Sequence, residues 1–243
     1  MKTTTLTDLK IEVIGMWCGV VFLALVVIGW VVVAGFIPLH SPSATVEQVF
    51  ELYRENHTRI VFGMLMVMMS SFFWCPFSGV ALSYLSRVEG RVGVLTWSAA
   101  IGVVGNLLGV FFAPFFWLTA AFRPDADPNI IYLMNDLGWL VWVGALAPVL
   151  PLMFGFGVAA FIDKDPNPVF PRWYGYLSIL TVIGMLPDQL LFYFHSGPFA
   201  WNGIFSFWIA FSLFINWVVV LFYLLGKAIQ GRRAQLSRNS PSP

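Results

Sequence analysis

Six apolar stretches, each long enough to cross a bilayer, leave this chain few folds to choose from. They run over about 11–38, 58–86, 92–121, 130–162, 173–195 and 203–228. A helix needs roughly 20 apolar residues to span the hydrocarbon core. In that medium every backbone N–H and C=O must be satisfied inside the protein, so only helices and closed barrels are admissible. None of the six stretches alternates polar and apolar residues with period two, which argues against a barrel. The fold expected is all-α: a polytopic integral membrane protein, a six-helix transmembrane bundle. Charge content agrees, since 10% of residues are charged against roughly 25% in soluble domains.

The breaks between stretches read as turns: "SRVEGR", "RPDADPN", "DKDPNPVFPR" and "HSGPFAWNG". One connecting segment is different. "SPSATVEQVFELYRENHTR" (41–59) is too polar to cross. Val46, Val49, Phe50 and Tyr53 nevertheless recur at helical spacing, with Glu47, Glu51, Arg54 and Glu55 off that stripe. This predicts a short amphipathic helix lying on the surface between spans 1 and 2. Three segments follow along the chain: a cytoplasmic N-terminus over 1–10, one six-span membrane domain over 11–228, and a basic, then polar, disordered tail over 229–243.

Orientation follows from lysine and arginine. Lys2, Lys10, Arg87, Arg91, Lys164, Arg172, Lys227, Arg232, Arg233 and Arg238 fall in segments that six spans place on one side. Arg54, Arg59 and Arg123 fall on the other. The positive-inside rule then puts both termini in the cytoplasm, with a bacterial inner membrane as the expected location. The first run is too long for a signal-peptide core and reads as a retained span.

The formal net charge is +1, so there is no electrostatic footprint for nucleic acid. Cys18 and Cys75 lie in separate apolar runs and do not make a metal or redox motif. His40, His57 and His195 fall at the ends of three different spans without ligand spacing. No metal and no cofactor are therefore expected. Walker A, GxSxG and HExxH patterns are absent from the chain.

What remains is the polar content of the spans. Ionisable groups there are rare and face the bundle interior or a cavity. Asp136, with Asn135 beside it, lies roughly 9 Å inside the outer end of span 4 at 1.5 Å per residue. Asp188 lies roughly 10 Å inside the outer end of span 5. Two carboxyl groups at matching depth make Asp136 and Asp188 the candidate catalytic pair. A carboxylic acid shielded from water can act as a general acid. Arg59 and Asn202 at the outer face, Asn106 and Asn216 near the midplane, and Trp139 complete the candidate substrate-binding set. Pro76, Pro114, Pro148, Pro151 and Pro187 would kink the spans and open space between them.

These features predict an intramembrane pocket. It would bind or convert a hydrophobic small molecule, an isoprenoid, a steroid-like or another lipid, by metal-free isomerisation or proton-initiated cyclisation. In size and polar layout the chain resembles small integral-membrane terpene cyclases. That resemblance implies buried acids acting without a diphosphate-binding metal; it does not extend to a motif matched residue by residue. Two other readings stand beside it: a small proton-coupled carrier, and a non-catalytic subunit of a larger membrane complex. The expected partners are membrane lipids, the hydrophobic ligand, and a second copy or a membrane-complex partner.

Overall fold

The computed structural model describes residues 6–239. Residues 1–5, including Lys2, and the last four residues of the tail lie outside the described residues. Every regular element described is helical. Helix α1 (Leu6–Val26) continues as a π-helical stretch, Val27–Val33. Helix α2 is Val46–Glu89 and α3 is Val94–Phe122. Helix α4 is Pro128–Gly144 and α5 is Leu150–Ile162. Helix α6 (Arg172–Met185) tightens into a 3₁₀ helix, Leu186–Phe192. A π-helical stretch, Ile204–Ile209, leads into α7 (Ala210–Asn239).

Five of these helical segments are long and apolar enough to cross a membrane: Leu6–Val33, Val46–Glu89, Val94–Phe122, Arg172–Phe192 and Ile204–Arg238. The fourth apolar run departs from the expectation of six uninterrupted spans. It is broken into α4 and α5, of 17 and 13 residues. Two prolines explain the break. Pro148 cannot supply the N–H that would continue the ladder, and Pro151 sits in the first turn of α5, where that N–H is not needed. The Gly144 carbonyl at the end of α4 is satisfied from outside, by Gln189 Nε2 at 3.1 Å.

The 41–59 segment also differs. A helix does start there, on a Thr45–Gln48 capping box, but it runs without a stop into the second span, making α2 44 residues long. Asn56 (φ −109°, ψ 15°) marks a bend. Val49 and Tyr53, on the apolar stripe, are 3% and 0% exposed. The stripe faces the bundle, because Tyr53 has a buried polar partner there. The tail differs as well: α7 stays helical through Asn239, beyond the apolar run that ends near 228. Ile229 is buried, and Arg232 Nη1 holds the Glu12 carboxylate at 2.7 and 3.0 Å.

That ion pair defines one end of the bundle. Glu12 of α1 also binds Arg87 at 2.7 Å and accepts from the Tyr84 hydroxyl at 2.9 Å, both on α2. The other end is aromatic. There the Trp201 indole donates to the His40 carbonyl at 2.9 Å, and Tyr53 meets Asn135. Between the ends lies a core rich in large rings, with Trp30, Trp74, Trp117, Trp139 and Trp217 all below 2% exposed.

Candidate functional site

The site is built where four helices lose regularity. The break at 145–149 contributes Ala145, Leu146 and Val149 to the wall of a cavity of about 110 Å³. The 3₁₀ helix after α6 contributes Asp188, and the π-helical entry to α7 contributes Ser206 and Phe207. Helix α3 contributes Asn106. It can do so because α3 is glycine-lined on that side. A Cβ on Gly102 would collide with Leu152 at the start of α5, and one on Gly105 with the Pro148 carbonyl. Those two contacts press the broken helix onto α3 and bring Asn106 to the cavity.

The cavity is otherwise apolar, walled by rings such as Trp142, Phe211 and Phe214. Asp188 is 2% exposed, and its Oδ1 has no hydrogen-bond partner among the described residues. The Oδ1 of Asn106 is also buried without a partner. Ser206 is different, since its hydroxyl already donates to the Phe199 carbonyl at 2.8 Å. Asp188 and Asn106, both lining the cavity, therefore each hold a buried oxygen without a partner, which costs about 1–3 kcal/mol.

Asp136 does not line this cavity. It belongs to a second polar group at the aromatic end. The Tyr53 hydroxyl donates to Asn135 Oδ1 at 3.2 Å, and Asn135 Nδ2 donates to Asp136 Oδ1 at 3.3 Å. The Trp117 indole donates to the Asn135 backbone carbonyl at 3.3 Å. The exposed His195 lies within electrostatic reach of Asp136. His40 sits beside this group, outside the spans, with Phe36 and Trp139 against its ring at centroid distances of 4.4 and 5.4 Å. Burial holds its imidazole down at about 4, opposed in part by Asn135.

The structure thus brings together Asp188 with Asn106, and separately Asp136 with Asn135. The other candidates go elsewhere. Arg59 is exposed and pairs with neither carboxylate; it donates to the Val33 and Val32 carbonyls at 3.2 and 3.4 Å, closing the π-helical end of span 1. Trp139 is fully buried in the aromatic cluster, 5.2 Å from Trp117 and parallel to Trp201 at 6.1 Å. Asn202 is partly buried beside Trp201, and Asn216 is exposed on the outer face of α7. Tyr53 is a site residue that sequence reasoning assigned only to an apolar stripe. Its signal was the hydroxyl, which needs a partner whenever the ring is buried. Ser206 carried no comparable signal.

A bundle with five helices long and apolar enough to cross a membrane, and with Asn135 and Asp188 buried inside it, is a multi-pass helical membrane protein. Comparison with known protein families, with curated proteins and with solved structures gives no match to this chain.

Proposed function

We propose that this protein binds a hydrophobic small molecule in the cavity between Asp188 and Asn106, and that Asp188 exchanges a proton with it. The observation that carries this is that two side chains lining one apolar cavity, Asp188 and Asn106, each hold a buried oxygen without a partner. A carboxyl and a carboxamide together offer acceptors and donors, and a lipophilic alcohol can answer both. Trp142, Phe207 and Phe211 offer ring faces to its apolar body. At about 110 Å³ the cavity is smaller than the ~150 Å³ space that takes benzene. Only the polar head and the adjoining carbons fit inside. An isoprenoid or steroid-like body would lie along the helices toward lipid. Acid–base conversion would rest on Asp188 alone, with Asp136 outside the reacting site.

The same reading takes the chain as six crossings, with α4 and α5 together forming one broken span. Glu12, Arg87 and Arg232 meet at one end, which supports an even number of crossings between them. The basic residues gathered there support a cytoplasmic location for both termini.

The test is mild purification followed by native mass spectrometry and solvent extraction. A small molecule should accompany the wild type and Asp136→Asn, and be lost from Asp188→Asn and Asn106→Leu. Bulk phospholipid alone in all four samples would sink the proposal.

One observation favours a second reading, a proton-coupled carrier. The cavity wall is made of discontinuous helices, the arrangement that carriers place around a midplane binding site. Proton-linked flux in liposomes that disappears in Asp188→Asn would select it.

A further inference from the structure

The outward face of α7 carries two polar groups that lipid cannot satisfy. Ser212 and Asn216 are both exposed, one helical turn apart, and Val219 and Tyr223 continue the same face at 51% and 63% exposure. Neither Ser212 nor Asn216 makes a side-chain hydrogen bond among the described residues. Asn216 is 12 residues from the start of the Ile204–Arg238 segment, roughly 18 Å along the axis and so near the bilayer midplane. Water does not reach that depth, and acyl chains offer neither donor nor acceptor.

Beside this face runs an apolar groove of about 560 Å³ between α1 and α7, lined by Gly19, Leu23, Val27, Val219 and Phe222 among others. The groove by itself argues nothing, because acyl chains fill such a surface at no cost. Asn216 is what they cannot accommodate.

We infer that α7 is the contact helix of a homodimer, paired through Asn216 across a two-fold axis. A carboxamide is donor and acceptor at once. Two copies related by a two-fold present the same patch to each other, so each Nδ2 can donate to the partner's Oδ1 and both are satisfied. Ser212, one turn away, is small enough to let the two backbones approach, as close helix crossings in membranes require. The exposed Lys227 near the basic end lies beyond the crossing point, where two inclined helices have diverged. The cavity at Asp188 opens among other residues, so this interface and the ligand proposal stand or fall separately.

The experiment is disulfide cross-linking of the full chain in its native membrane, before detergent, with Cys18 and Cys75 replaced by Ala. Ser212→Cys should give a covalent dimer. Phe111→Cys, on the exposed face of α3, should not. In native mass spectrometry the wild type should be dimeric, Asn216→Gln should remain so, and Asn216→Leu should lose dimer on the order of tenfold. A Ser212→Cys adduct no more abundant than the Phe111→Cys control, an adduct with a different protein, or an unchanged dimer fraction in Asn216→Leu would each overturn the inference.

Discussion

Tyr53 donates its hydroxyl to Asn135 Oδ1 at 3.2 Å across 82 positions of sequence, and this bond fastens the start of α2 to α4. Both residues are buried, so neither group has water as an alternative. Tyr53→Phe keeps the ring and leaves Asn135 Oδ1 unpaired. It should destabilise the protein by about 1–3 kcal/mol. Asn135→Leu should cost a similar amount, and the double variant should cost less than the sum. Thermal melts of the four proteins in one detergent give the coupling. Strict additivity would mean that the bond holds nothing.

Asp188 points to the opposite result. Its Oδ1 is buried and unpaired, so the side chain weakens the ligand-free protein. Asp188→Leu, apolar, branched at the same atom and with the cavity beside it to take its extra volume, should raise the melting temperature of ligand-free protein by an amount worth about 1–3 kcal/mol. It should also abolish small-molecule binding. Stability gained by removing a polar group is the usual mark of a residue kept for function. A lower melting temperature would show that Asp188 holds the fold instead.

How much of this could be read from the chain follows from what each signal depends on. The apolar runs predict membrane helices well, because bilayer thickness acts on every span alone. They do not predict the break at 145–149, where Pro148 and Pro151 interrupt a run whose hydropathy stays high. The depths of Asp136 and Asp188, counted from the ends of their runs, do not bring them together: Gln189, beside Asp188, reaches the Gly144 carbonyl, roughly 12 Å along α4 from Asp136. Depth also says nothing about azimuth, and the two carboxyl groups face different neighbours. Asn106 is selected for the cavity and Asn216 for the outer face by helix rotation, which tertiary packing sets. Val49 and Tyr53 show the same limit: the stripe is legible, and the body it packs against is not.

His40 predicts a pH dependence. Its neutral form is enforced in the folded protein, where the imidazole is held at about 4 against 6.5 unfolded. Between those values the unfolded chain binds a proton that the folded one does not. Stability is therefore intact above pH 6.5 and falls as pH drops toward 4, by up to about 3 kcal/mol. The side chains around the ring, Phe36, Trp139 and Asn135, bear no charge of their own that could offset this. His40→Gln should remove that part of the slope. Denaturation of the two proteins at pH 7, 6, 5 and 4 measures it, and parallel curves would show that His40 contributes none.

The last prediction concerns the basic end. Glu12 receives Arg87 from α2 and Arg232 from α7, with the Tyr84 hydroxyl as a third donor. Its side chain is only 12% exposed, so the bonds are better shielded from salt than surface pairs. Glu12→Gln keeps one acceptor oxygen and loses the charge that faces both guanidinium groups, Arg87 being exposed and Arg232 24% exposed. Hydrogen bonds to charged groups contribute about 1.5–3 kcal/mol, so a loss of that size is expected. The loss should persist in molar salt. Because Glu12 lies in the first turns of α1 and Arg232 in the last turns of α7, the same substitution should free the end of α7. Protease cleavage after Arg232 and Arg233 should accelerate in Glu12→Gln while cleavage after Arg123, at the other end, does not change. Equal acceleration at both ends would mean that the pair supports the whole bundle and is no local clasp.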